Sequence, residues 1–86
     1  MRRLSEFYGL AICMYFADHN PPHFHAIYAD HEALIRINDG GTIRGDLPTT
    51  AARLVEQWRT LHHDELLANW LLAQEPAALS WIEPLQ

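Results

Sequence analysis

The stretch FHAIYADHEALIRINDGG, residues 24–41, decides the fold. Two short runs of mainly apolar residues, Phe24 to Tyr28 and Glu32 to Ile37, flank three residues that favour a turn. Such runs between turn residues are typical of paired β-strands. The tetrapeptide NDGG, residues 38–41, predicts a second hairpin turn because asparagine, aspartate and glycine tolerate positive φ angles. A short strand over residues 42–44 follows it, so the whole stretch predicts an antiparallel meander.

Side chains two residues apart in a strand project from the same face of the sheet. This alternation assigns the faces of the strand that follows the first turn. The side chains predicted to face the core are Ala33, Ile35 and Ile37. Those predicted to face water are Glu32 and Arg36.

Upstream, Phe7 to Phe16 alternates large apolar side chains with mostly smaller ones, which predicts one further strand covered on at least one face. The next segment, Asp18 to Pro22, ends this strand, because successive prolines lack backbone donors and disfavour helical geometry in the residues before them. The first two predicted strands should therefore pair as a hairpin around the prolines.

Downstream, Pro48 predicts the first position of a helix. Two apolar stripes at helical spacing follow, and on one continuous helix they would lie roughly 150° apart at about 100° per residue. A break near His62 to Asp64 resolves this conflict and gives two helices that each turn an apolar face to the sheet. Pro76 is predicted to end the second helix, and residues 79–85 to pack back onto the core. The stripes are Ala51, Leu54, Val55, Trp58 and Leu61, then Leu66, Leu67, Trp70 and Leu71.

These segments define the predicted fold class. The chain of 86 residues is expected to form a single domain, residues 1–86, with 49% hydrophobic residues to fill one core. The class is α+β, with a three- to four-stranded antiparallel meander followed by a two-helix hairpin packed on one face.

Composition limits the classes of function. Six basic residues against eleven acidic ones give a formal charge of −5, which disfavours a nucleic-acid-binding protein that works by broad phosphate neutralisation. Cys13 is the single cysteine, so no intrachain disulfide can form and a reducing cytoplasm is the expected location. The apolar run 7–17 is far shorter than the roughly 20 residues that a membrane span needs. We therefore expect a soluble cytoplasmic protein without a membrane partner.

The segment DHNPPHFHA, residues 18–26, holds three of the six histidines. Residues His23 and His25 share one strand face, with α-carbons about 6.6–6.8 Å apart, so their imidazoles could converge on one ion. In the predicted hairpin, Asp18 and His19 approach from the other arm. Zinc or another divalent metal fits such a mixed nitrogen and oxygen set, and an open coordination position would make the site catalytic.

Two other interpretations of this segment stay open. Without a metal, the cluster could supply a general acid and a general base, with Asp18 orienting one histidine. A structural turn also explains these residues, because aspartate and asparagine before proline are ordinary turn formers. The candidate catalytic and metal-ligating residues are His23, His25 and Asp18. The candidate binding residues are His19, Asn20, Arg36 and Arg44.

The segment FYGLAICMYFADHNPPHFHAIY, residues 7–28, resembles the opening of a small bacterial family called domain of unknown function 4160. The resemblance continues through NDGG, LPTTAARLVEQW and HHDELLANW, so it covers nearly the whole chain, and DHNPPHFHA is its specific part. It implies no settled activity, but the family's genes are often found beside another small uncharacterised protein, as in a toxin–antitoxin module. Family members often have a basic residue where this chain has Cys13, which weakens a nucleic-acid role here.

Three hypotheses follow. The first is a small soluble interaction protein of a two-protein, toxin–antitoxin-like bacterial module. It would dock a small protein encoded by a neighbouring gene through the histidine-rich turn and the sheet edge; a homo-oligomer stays open as well. The alternative is a small histidine-based or metal-dependent hydrolase, such as a ribonuclease-like toxin. The third is a metal that supports structure without catalysis, so the sequence alone leaves open whether the chain is an enzyme.

Overall fold

A computed structural model describes residues 2–75 and 77–86. The prediction that Pro76 ends the second helix lies outside these residues. Within them the chain forms five β-strands followed by two α-helices. The strands are β1 (Arg2–Phe7), β2 (Leu10–Met14), β3 (His23–Tyr28), β4 (His31–Arg36) and β5 (Thr42–Gly45). The helices are α1 (Thr49–Leu61) and α2 (His63–Gln74).

The strands form one antiparallel sheet in the order β1-β2-β3-β4-β5, so every strand pairs with its neighbour in sequence. This meander followed by two helices confirms the predicted α+β class, although the sheet has one strand more than the upper predicted number. The additional strand is β1, which begins where no strand was predicted.

The prediction of one strand over Phe7 to Phe16 is wrong. Strand β1 ends at Phe7, the chain reverses through Tyr8 and Gly9, and β2 begins at Leu10. Both turn residues have positive φ angles, 49° and 80°, which is the backbone of a tight two-residue hairpin turn. The reversal depends on Gly9, because glycine adopts this conformation without steric cost.

The helical hairpin follows the prediction with small differences. Helix α1 begins at Thr49, so Pro48 precedes the helix as its N-cap and is not its first residue. The predicted break is confirmed, since α1 ends at Leu61 and α2 begins at His63. Leu61 and Leu71 were predicted in the apolar stripes, but they are exposed. Leu61 ends its helix at the break. Leu71 lies roughly 140° around α2 from the buried Leu66 at about 100° per residue.

The core lies between the helices and one face of the sheet. Trp58 is fully buried, with its ring 5.4 Å from the Phe7 ring and 6.0 Å from the Phe24 ring. The predicted core positions of β4 and the loop after it are confirmed as buried. They are Ala33, Ile35 and Ile37.

The C-terminal segment packs back onto this core, as predicted. Ile82 is buried, and its backbone N–H donates to the carbonyl of Leu4 on β1 at 2.8 Å. The indole N–H of Trp58 donates to the carbonyl of Glu83 at 2.9 Å. Among the described residues, no helix is long and apolar enough to cross a membrane.

Candidate functional site

The sheet register places His23 and His25 beside each other on β3. The core residues Phe24 and Ala26 alternate with them, so both histidines project from the opposite side of the strand. Their ring centroids are 5.5 Å apart. The prediction that the two imidazoles share a face is therefore confirmed.

The segment between β2 and β3 brings Asp18 to the same point. Its Oδ2 atom lies 3.1 Å from Nε2 of His23 and 3.6 Å from Nε2 of His25. One potential ligand atom from each of the three residues lies within 4.8 Å of the other two. The structure thus gathers the candidate catalytic and metal-ligating residues into one cluster, which we call the His–Asp cluster (Asp18, His23 and His25).

The outer nitrogens of the two imidazoles are fixed by different partners. Nδ1 of His23 lies 2.8 Å from the carbonyl oxygen of Pro21, and Nδ1 of His25 lies 2.9 Å from a carboxylate oxygen of Glu32. A carbonyl and an ionised carboxylate can only accept, so each Nδ1 donates a hydrogen bond. In a neutral imidazole, the lone pair is then on Nε2. Both lone pairs therefore face the Asp18 carboxylate.

With both imidazoles neutral, three electron-rich atoms would face one another at this point, although Nε2 of His23 lies within hydrogen-bond distance of the Asp18 carboxylate, at 3.1 Å. Nε2 of His25 is buried and has no hydrogen-bond partner within residues 2–75 and 77–86. His25 itself is only 8% exposed. A buried polar atom without a partner is costly. The three side chains could therefore hold a metal cation at the point where they meet.

The charge state of Asp18 suits such a cation. Burial by itself would raise the pKa of Asp18, but three attractive contacts together outweigh it and hold the pKa below its usual value. The backbone N–H of His19 donates to the carboxylate at 2.9 Å, and both imidazoles of the cluster lie close to it. Asp18 is therefore ionised at neutral pH.

Sequence reasoning missed the role of Glu32. This residue was predicted to face water, and its side chain is indeed half exposed, but its carboxylate reaches His25. Glu32 is the cross-strand partner of Ile27, which makes it the diagonal neighbour of His25 on the same face. Only the pairing register of β3 and β4 could have revealed this contact.

The His–Asp cluster opens onto a groove of about 720 Å³. The candidate binding residues His19, Asn20 and Arg44 line this groove. Arg36 does not, because its Nε donates to Asp39 in the turn between β4 and β5 at 2.9 Å. The groove is also lined by aromatic and aliphatic side chains. These are Tyr15, Phe16, Leu34 and Ile43.

The fold and the cluster define a small α+β protein with a histidine–carboxylate site on its sheet. The chain belongs to the family described as Domain of unknown function (DUF4160), whose family model matches residues 9–71. The matched residues include the whole His–Asp cluster and Glu32. Neither a curated protein nor a solved structure matches the chain.

Proposed function

We propose that the chain is a small metal-dependent hydrolase. The observation that carries this proposal is the fixed geometry of the two imidazoles, whose Nε2 lone pairs converge with the Asp18 carboxylate. Histidine ligands in proteins almost always donate their second ring N–H to a carboxylate or a backbone carbonyl, as His23 and His25 do here. Two histidines and a carboxylate suit zinc or another divalent transition metal.

Three protein ligands support catalysis better than a purely structural role. Structural zinc sites usually have four protein ligands, whereas catalytic sites have three and an open position for water or substrate. In this role a bound zinc ion would lower the pKa of a coordinated water to about 7, which supplies a nucleophile at neutral pH. The groove beside the cluster gives a substrate access to that open position. Cys13 is a lone buried thiol, which fits a reducing cytoplasm.

Metal titration tests this proposal first. Protein purified without an affinity tag should bind one zinc ion, as measured by calorimetry or chelator competition. We expect His23→Ala, His25→Ala and Asp18→Asn each to weaken zinc binding by at least 100-fold. His31→Ala is the matched control, because His31 lies at the start of β4 and outside the groove. Unchanged affinity in all three cluster variants, or no zinc bound by the wild type, would refute the metal site.

Hydrolysis is the second readout. Zinc-loaded protein should cleave at least one activated ester, p-nitrophenyl acetate or bis(p-nitrophenyl) phosphate, and a chelator should abolish the activity. Zinc binding that stabilises the fold but supports no cleavage would instead favour the structural role of the metal.

The exposed sheet edge supports a second candidate function. All four residues of β5 are exposed, and β5 forms one edge of the sheet, where backbone groups are free to pair with another chain. This edge suits the interaction protein of a cytoplasmic, toxin–antitoxin-like bacterial module, docked to the product of a neighbouring gene. Co-elution of the two proteins in size-exclusion chromatography, lost in Ile43→Pro but retained in Ile43→Thr, would support it. Elution as two independent species would count against it.

A further inference from the structure

The charges that line the groove indicate which substrate it can accept. Asp18 and Glu32 contribute two negative charges, and Arg44 contributes one positive charge. With neutral histidines the groove has a net single negative charge, which repels anions. A divalent ion in the His–Asp cluster reverses this to a net single positive charge. The metal-loaded groove therefore favours a monoanion.

Arg44 is available to bind that anion. Three other arginines pair with nearby carboxylates, whereas Arg44 has no such partner within residues 2–75 and 77–86. The paired arginines are Arg3, Arg36 and Arg59. Arg44 is also exposed and lines the groove. Its planar guanidinium can donate two parallel hydrogen bonds to a phosphate.

The sheet register places Arg44 opposite the His–Asp cluster. Leu34 on β4 is the cross-strand partner of His25 on β3 and of Arg44 on β5. Two strand spacings of about 4.8 Å therefore separate the backbones of His25 and Arg44. A phosphate group held between them would be contacted by the metal on one side and by the guanidinium on the other.

Aromatic rings complete the groove. Tyr15 and Phe16 are partly exposed at its rim, and the Tyr15 ring packs edge-on against the His25 ring at 4.5 Å. Planar rings beside a phosphate site stack the bases of single-stranded nucleic acids. One arginine in the groove, on a chain with a formal charge of −5, suits one such linkage, not a long duplex.

We propose that the groove binds and cleaves a single phosphodiester linkage of nucleotide type between the His–Asp cluster and Arg44. This inference rests on the proposed metal-dependent hydrolase. In the reaction a water oxygen forms a bond to phosphorus, and the bond from phosphorus to one ester oxygen breaks. One water proton goes to the leaving oxygen, and the other is released as the phosphomonoester product ionises. The step needs no reagent other than water.

Kinetics of the zinc-loaded chain on bis(p-nitrophenyl) phosphate test the role of Arg44. We expect Arg44→Gln to raise KM at least tenfold while zinc affinity changes less than twofold. Arg44→Lys should recover part of the loss. Arg53→Gln is the matched control, because Arg53 is an exposed arginine of α1 that lies outside the groove. An equal KM for Arg44→Gln and the wild type overturns the proposal.

Three further substrates identify the chemistry. The dinucleotide ApA should be cleaved at least tenfold faster than glycerophosphocholine, which has the same linkage without rings, and Phe16→Ala should reduce that preference. Equal rates on the two substrates overturn the nucleotide assignment in favour of a lipid-type diester. Zinc binding with cleavage of p-nitrophenyl acetate alone overturns the phosphodiester inference but retains the metal-dependent hydrolase. A wild type that binds no zinc removes both.

Discussion

At the scale of single residues, the orientation of His25 depends on Glu32, which is not one of the proposed metal ligands. Glu32 accepts the Nδ1 hydrogen of His25 and so directs the Nε2 lone pair toward Asp18. We expect Glu32→Leu to lower zinc affinity by about 10–100-fold, because the imidazole loses its fixed tautomer. Glu32→Gln should recover much of this loss, since its amide oxygen still accepts the hydrogen bond. Chelator competition measures both variants.

The control for this prediction is Glu65→Leu. Glu65 makes a similar contact with His62 at 2.6 Å, but both residues lie outside the groove. The zinc affinity of Glu65→Leu should equal that of the wild type. An unchanged affinity in Glu32→Leu would show that the carboxylate does not position His25.

The residue scale also shows how far the sequence could predict the site. The period of two along β3 and the reversal at the prolines were enough to bring His23, His25 and Asp18 together. Glu32 required knowledge of the strand register, which is set by turn geometry and core packing together. Arg36 is the cross-strand partner of His23, but its guanidinium contacts Asp39 and it does not line the groove.

At the scale of elements, the position of β5 depends on Gly45. Its φ angle is +77°, and a methyl group added there would overlap the backbone carbonyl oxygen of Glu32. Gly45→Ala should therefore cost about 1–2 kcal/mol for the left-handed backbone and a further amount of about 1–3 kcal/mol for the overlap. Because the overlap displaces β4 at Glu32, zinc affinity should fall together with the free energy of unfolding.

Gly9→Ala separates the cost of the left-handed backbone from the effect of the overlap with the Glu32 carbonyl. Gly9 also has a positive φ angle, 80°, but its added methyl group would lie 3.3 Å from a ring carbon of Tyr28. That side chain can move, so we expect only the backbone cost in this variant and an unchanged zinc affinity. Denaturant unfolding and chelator competition on both variants provide the comparison. Equal losses in the two variants would contradict the role assigned to the Glu32 carbonyl.

The elements also explain why β1 was not predicted. Residues 7–16 alternate as a strand should, whereas β1 itself, RRLSEF, is mostly polar and gives little apolar signal before the turn. A single glycine within such a run marks a turn only when its φ angle is positive, which the pattern of hydrophobicity does not reveal. The two helices were easier to predict, because on one continuous helix their apolar stripes would lie on different sides and could not both face the sheet.

At the scale of the whole molecule, Arg59 joins the helical layer to the sheet. It is largely buried on α1, and its guanidinium donates to the carbonyl of Ile37 just beyond β4 at 2.8 Å. Glu56, one turn earlier, balances its charge through two contacts with the guanidinium. The helices pack on the core face of the sheet, and Trp70 of α2 also reaches the cluster, with its ring centroid 5.2 Å from that of His23.

This pair makes the stability of the fold depend on pH. The hydrogen bond from Arg59 holds the pKa of Glu56 below its ordinary value of 4.5; burial opposes the shift, while the attraction of the Arg59 charge supports it. A carboxyl group whose pKa is lowered by folding stabilises the native state above its unfolded pKa, and this stabilisation is lost as the pH falls through the folded pKa.

Glu56→Gln should therefore destabilise the protein at pH 7 by about 1 kcal/mol, a modest value because the Glu56 side chain is half exposed. That loss corresponds to a decrease in Tm of about 4–8 °C for a domain of this size. The difference from the wild type should shrink as the pH falls below 4.5 and through the lowered pKa of the folded protein, because the wild-type carboxyl group then becomes protonated as well. Thermal unfolding of both proteins between pH 7 and pH 3 measures this, with Glu83→Gln as the control for an exposed glutamate outside the pair. A difference that stays constant over the whole range would show that the ionised form of Glu56 does not provide this stabilisation.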